Sequence, residues 1–226
     1  KEIHVCGALN TKELLEKILT DCNDDYEINE YTRNTPLEVE YKNFSYNDTK
    51  EGDAIVVFSK KRVLEIAQSY SEKGIKASII YGDLPPEVRK MQYAEFLNKE
   101  TKVLITTDAI GMGVNLPIRR IIFMSVSKYD GEEVRELTSQ EVKQVAGRAG
   151  RKGIYDVGYV ASIGGTQDLI KEKLEMKDKL IEKAVIGPSD AILKIKNLPL
   201  NQKLALWKDR EESLDYYTKM DILIKK

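Results

Sequence analysis

Short apolar runs alternate with amphipathic stretches through the middle of the chain. These runs fall at 54–58 (AIVVF), 77–81 (ASIIY), 103–107 (VLITT), 121–126 (IIFMSV) and 157–163 (VGYVASI). Each predicts a strand, and the first, apolar throughout, predicts one buried on both faces. Between the first two, Ser59 stands where a helix cap belongs, Val63, Ile66, Ala67 and Tyr70 keep helical spacing, and Gly74 is a fitting stop. After the second, Leu84-Pro85-Pro86 turns the chain, and Pro86 can start a helix reaching about Leu97. Strand–helix alternation of this kind predicts crossover units, a parallel sheet and helices on both of its faces. Ligands of such sheets sit beyond the carboxyl ends of the strands, where Ser59, Gly82 and Thr107 fall.

The flanks read differently. Residues 1–50 hold one apolar run (3–6), one helix candidate (Leu14, Leu15, Ile18, Leu19) and a polar stretch that reads as a linker with one edge strand at most. Residues 166–226 read as helices. Ile170, Leu174, Ile181 and Val185 form one stripe, ended by Gly187-Pro188, and Leu200, Leu204, Trp207 and Leu214 form another. The domain reading is therefore 1–50, 51–165 and a helical extension over 166–226.

Composition narrows the class. The chain has 226 residues, 42% of them apolar and 32% charged, which supports a full domain with an appendage. Net charge is −1, so nucleic-acid binding would need a local basic track. Cys6, Cys22 and His4 make no zinc-type spacing, and no metal site is read from the sequence. No secretory pattern and no apolar run near 18 residues occurs, so neither a signal peptide nor a membrane span is expected. Together with the two cysteines, that points to a reducing compartment, and a cytoplasmic location is the expectation. The chain opens on Lys1, and a longer parent is expected.

Two segments carry candidate chemistry. In QVAGRAGR (144–151), Thr138 and Glu141 lie just upstream at capping-box spacing, so a helix should start near Thr138. Val142, Val145, Ala146 and Ala149 then share one face. Gln144, Arg148 and, if the turn persists, Arg151 share the other. Guanidinium forks match phosphate oxygens, and a solvated basic helix end is the alternative. The second segment is TTDAIGMGVNLP (106–117), directly after the third strand. Gly111 and Gly113 leave room for a phosphate or ribose, Thr107 offers a hydroxyl and an amide, and Asn115 can both donate to and accept from a ribose hydroxyl. Asp108 either organises the loop or orients the arginines by ion pairing.

These two segments, taken together, resemble motifs V and VI of superfamily II helicases, carried on the second RecA-like domain. AIVVFSKKRV (54–63) resembles motif IV and IIYGDLPPEVR (79–89) the adjoining motif IVa. The wording YGDLPP, DAIGMGVNL, IRRIIF and QVAGRAGR resembles the mitochondrial RNA-degradosome helicase family and its bacterial relatives, as do EIHVCG (2–7) and YTRNTP (31–36). The resemblance covers residues 1 to about 165. It implies an α/β fold: a RecA-like three-layer αβα domain with a mostly parallel sheet, followed by the helical extension.

The resemblance also implies roles. Arg148 and Arg151 match arginine fingers for the γ-phosphate of ATP, and Gln144 matches a glutamine that contacts the nucleotide phosphates. Asn115, with Gly113 and Asp108, falls on the nucleotide side. Thr107 and Arg89 match positions touching the RNA backbone, with a solvated helix residue as the alternative for Arg89. Ser59 and Gly82 can offer backbone amides to phosphates. No G-x-x-x-x-G-K-[ST] and no DExH box occurs in the chain, so ATP and Mg2+ would be held mainly by a first RecA-like domain in cis. The implied activity is ATP-dependent RNA unwinding by the joined domains, on single-stranded RNA or a duplex with an overhang, and a nuclease is a further implied partner. The piece alone is expected to be inactive. A DNA helicase or translocase of the same superfamily, and a non-catalytic RNA-binding scaffold, are the competing readings.

Overall fold

The computed structural model describes residues 2–110, 115–209 and 215–220. The chain divides into two compact units: 32–177, and a second made of 1–31 with 178–226. The second unit contributes α1 (Lys12–Asp21) at its start. This is the helix predicted from Leu14, Leu15, Ile18 and Leu19. The apolar run at 3–6 joins no strand, and Ile3 and Val5 are exposed.

The larger unit follows in chain order as β1 (Leu37–Val39), β2 (Asp53–Val56), α2 (Lys60–Glu72), β3 (Ala77–Ile80), α3 (Pro86–Leu97) and β4 (Val103–Thr106). It continues through β5 (Arg120–Phe123), β6 (Ser127–Tyr129), β7 (Val134–Glu136), α4 (Ser139–Ala146), β8 (Gly158–Ser162) and α5 (Gln167–Glu175). Six strands pair in the order β1-β8-β5-β2-β4-β3, every neighbour parallel. β6 and β7 form a separate antiparallel hairpin that the pattern did not predict. The unit starts before residue 51 and ends after 165. The polar stretch supplies the edge strand β1, in register with β8 (Leu37 opposite Gly158).

Side-chain alternation explains the layers. Along β2, Ala54 and Val56 point into one core with Tyr93, Phe96, Val142, Val145 and Ile170 of α3, α4 and α5. Ile55 and Val57 point into the other, with Val63, Ile66 and Tyr70 of α2. The central strands are thus buried on both sides and read as uninterrupted apolar runs. The amino ends of β2 and β5 carry a buried ionic knot. Asp53, fully buried, accepts from Arg119 at 2.7 Å and from Arg120 at 2.6 Å, and Arg120 also reaches Glu40 at 2.7 Å. Burial lowers the Arg120 pKa, but bonding and charge from Asp53 and Glu40 outweigh it, and the net direction is upward.

The helical reading of 166–226 needs correction. The stripe through Ile170 and Leu174 breaks at Met176, whose backbone is extended (ψ 131), so Ile181 and Val185 are not on that helix. Val185 lies instead in β9 (Ala184–Ile186) of the second unit. There, α6 (Asp190–Leu193), α7 (Leu200–Asp209) and β10 (Tyr217–Lys219) follow, with β10 parallel to β9. Trp207 is buried, and Leu214 lies outside the described residues.

Candidate functional site

The helix that enters QVAGRAGR begins as its sequence dictates. The Thr138 hydroxyl accepts from the Glu141 amide at 3.2 Å, and the Glu141 carboxylate accepts from the Thr138 amide at 2.8 Å. Val142, Val145, Ala146 and Ala149 are buried and Gln144 is exposed, as the helical spacing requires. The helix then stops. α4 ends at Ala146, and Gly147 caps it. Arg151 is therefore placed by a turn and not by helical periodicity. Gly150 adopts φ +77°, and a Cβ there would lie 2.5 Å from Thr35 Cγ2 and 2.8 Å from the Gly158 nitrogen. Glycine at this position admits the neighbouring backbone of the same chain rather than a ligand.

That turn sits against the segment following β4. The Gly150 amide donates to the Ile118 carbonyl at 2.8 Å, and Ala149 bridges Ile118. Arg151 Nη1 donates to the Asn115 carbonyl at 3.0 Å. Both arginines are half-buried, and Arg148 makes no side-chain hydrogen bond or ion pair among the described residues. Neither guanidinium meets a carboxylate there, whereas Arg119, Arg120, Lys128 and Arg135 are each held by one or more.

Asp108 does not reach the arginines. Its carboxylate pairs with Lys128 of β6 at 3.2 Å, and Lys128 also pairs with Glu141 at 2.7 Å. Arg135 of β7 grips the same Glu141 through two nitrogens at 2.9 Å each. Of the two readings left open for Asp108, loop organisation is the one these contacts match. Hydrogen bonds from Arg135, then Lys128 and the Thr138 amide, hold the Glu141 carboxyl well below the usual carboxylate range. Bonding to Glu141 and Asp108 raises Lys128.

The predicted residues thus fall at opposite ends of the sheet. Ser59, Gly82 and Thr107 follow the carboxyl ends of β2, β3 and β4. Arg148, Arg151 and Asn115 lie at the amino ends of β5 and β8, because α4 returns against the strand direction. Gly113 lies outside the described residues. At the carboxyl edge, the Ser59 hydroxyl accepts from the Arg62 amide at 3.2 Å and so caps α2. The Thr107 amide, expected to be free, donates to the Ile80 carbonyl at 3.2 Å, because sheet pairing continues one residue past β4. Its hydroxyl accepts from the Ala109 amide at 3.3 Å and keeps its own proton to give. The amides of Ser59 and Gly82 have no partner among the described residues. Arg89 turns inward: Nη2 donates to the carbonyls of Gly82 at 2.7 Å, Tyr81 at 3.3 Å and Leu84 at 3.4 Å. It latches the loop after β3.

Sequence reasoning missed Arg33. It donates to the carbonyls of Thr35, Gly147 (2.7 Å) and Ala149. Burial lowers its pKa. The only local signal was its place in YTRNTP, ahead of the edge strand. It also missed the β6–β7 hairpin and its Lys128 and Arg135. Among the described residues no group of three His, Cys, Asp or Glu side chains could hold a metal ion.

Residues 35–153 match the helicase conserved C-terminal domain model. The chain is 37% identical over 202 residues to the mitochondrial ATP-dependent RNA helicase SUV3 of Saccharomyces cerevisiae, covering 85% of this chain and 27% of that protein. To the mitochondrial SUV3 of Candida albicans it is 43% identical over 151 residues, covering 66% of this chain and 21% of that protein. To the mitochondrial DExH-box ATP-dependent RNA helicase DExH16 of Arabidopsis thaliana it is 39% identical over 199 residues, covering 85% and 35%. The chain therefore spans a fifth to about a third of these relatives. Their mitochondrial names overturn the cytoplasmic expectation. Free cysteines and a missing secretory pattern fit any reducing compartment, and could not separate one from another.

Proposed function

The chain belongs to the helicase conserved C-terminal domain family, and from that premise we propose that it is the second RecA-like half of an ATP-dependent RNA helicase. One observation carries the reading. Arg148 and Arg151 stand on a hydrogen-bonded turn without a carboxylate partner among the described residues, in a unit where Arg119, Arg120, Lys128 and Arg135 are neutralised. Charges left unbalanced on a fixed frame suit an anion supplied from outside.

In this reading ATP binds the first RecA-like domain, which also holds its magnesium. Closure of the two domains brings Arg148 and Arg151 to the γ-phosphate, with Gln144 beside them and Asn115 near the ribose. Arginine fingers contribute on the order of 10³–10⁵ in rate. Hydrolysis removes the charge that held the arginines, and the cleft reopens. RNA lies at the other end of the sheet, gripped by the amides of Ser59 and Gly82 and the hydroxyl of Thr107, while Arg89 keeps the Gly82 loop in shape. α4 is the strut between the two ends. Its first turn is tied through Glu141 and Lys128 to Asp108, beside Thr107, and Arg148 follows its capped end, two residues past Ala146. The names of the relatives support RNA as the strand and a mitochondrial setting.

The test uses the full-length enzyme. Arg148→Ala should abolish RNA-stimulated ATPase while ATP binding stays close to wild type; turnover at the wild-type rate refutes the finger assignment.

A further inference from the structure

We propose that Arg33 is the positioning residue for Arg148, an inference that rests on the finger reading above. α4 ends one residue before Gly147, so the carbonyls beyond it have no helical donor. Arg33 supplies the donors. Nη1 takes the Gly147 carbonyl and Nη2 takes the Ala149 carbonyl, one residue before and one residue after Arg148. Nε takes the Thr35 carbonyl, which fixes the fork to its own backbone.

A planar guanidinium holding carbonyls on both sides of one residue restrains that residue's backbone direction, and with it where the side chain leaves the surface. Lysine cannot replace it. An ammonium is a point donor and cannot hold three carbonyls in one plane. The positive charge also complements the carboxyl end of α4. Among the described residues Arg33 meets no carboxylate, so its charge adds to the field around Arg148. Arg33 is the second residue of the sheet unit, 114 residues before Gly147 in sequence. The segment entering the sheet thus sets the aim of a side chain carried far downstream.

The experiment compares Arg33→Ala, Arg33→Lys and Arg148→Ala in the full-length enzyme at saturating RNA. Four quantities are read: kcat, KM for ATP, affinity for ADP with aluminium fluoride as a mimic of the transferring phosphoryl group, and Tm. Misplacement of a catalytic group by about 1 Å costs on the order of 10²-fold. Arg33→Ala should therefore lower kcat about 10- to 100-fold and weaken ADP–aluminium fluoride binding in parallel, with KM for ATP within about 3-fold. Arg33→Lys should fall between Arg33→Ala and wild type in both. A kcat within about 3-fold of wild type in Arg33→Ala overturns the proposal. So does a loss of kcat matched by equal losses in ATP affinity and Tm, the mark of general loosening. Should Arg33→Ala not fold, Arg33→Lys carries the test alone, and wild-type kcat in that variant overturns the proposal. Wild-type turnover in Arg148→Ala sinks the finger reading itself. A dead Arg148→Ala beside normal Arg33 variants sinks only the positioning role.

Discussion

Arg151 holds the main chain of Asn115, not its side chain: Nη1 donates to the Asn115 carbonyl at 3.0 Å. The two glycine-bearing segments are joined by a bond that survives any substitution at position 115 other than one that moves the backbone. Asn115→Ala is therefore a clean probe of the exposed amide. In the full-length enzyme it should raise KM for ATP about 5-fold, the loss of one hydrogen bond of about 1 kcal/mol, with kcat within about 2-fold. Arg151→Ala should lower kcat by at least about 10²-fold. Steady-state ATPase kinetics separate the two, and an equal kcat loss in both variants contradicts the assignment.

Gly150 and Gly82 make a matched pair for stability. A side chain at Gly150 meets Thr35 Cγ2 at 2.5 Å and the Gly158 nitrogen at 2.8 Å, at a φ of +77° that disfavours every residue but glycine. Gly150→Ala should cost about 3 kcal/mol or leave the protein unfolded. Gly82 has nothing within 4 Å of such a Cβ, and Gly82→Ala should stay within about 0.5 kcal/mol. Denaturant midpoints measure both.

Glu141 makes part of the stability depend on acid. Its folded pKa is depressed below the ordinary 4.5 by Arg135, Lys128 and the Thr138 amide. A depressed carboxyl stabilises the native state above its unfolded pKa and loses that contribution as pH falls through the folded value. The gap in unfolding midpoint between wild type and Glu141→Gln should be full at neutral pH and narrow steadily below 4.5. A gap that does not change with pH counts against the ion-pair account.

Tyr70 acts at the other end of the scale. Burial pushes its hydroxyl up to about 12 from an ordinary 10.0, against a hydrogen bond to Thr49 that pulls it down. Its raised pKa leaves stability intact below 10 and removes it as pH climbs toward 12. Each tenfold change in proton affinity is worth about 1.4 kcal/mol, so the full loss is about 3 kcal/mol. Tyr70→Phe should be about 1 kcal/mol less stable at pH 7, having left Thr49 without this partner, and should show a flatter alkaline limb. Equilibrium unfolding followed across the alkaline range checks it.

Local chemistry alone determined a good deal here. The buried strands were legible because burial on both faces demands uninterrupted apolar runs. α3 runs from Pro86 to Leu97 as read, because the fixed φ of proline suits a helix's first residue and its missing N–H is not needed there. The start of α4 was written in Thr138 and Glu141, three residues apart. Tertiary structure decided what depends on distant partners. Helical spacing could not say that α4 stops at Ala146 and that Arg151 is aimed by a turn, since Ile118, Asn115 and Thr35 make that turn. It could not say that Asp108 meets Lys128 and not an arginine, because the hairpin bearing Lys128 has no period long enough to declare itself. Nor could it place Arg148 and Thr107 at opposite ends of one sheet, which follows from the return path of α4 across it. Propensity and burial are properties of neighbours in sequence; the aim of a charge is a property of neighbours in space.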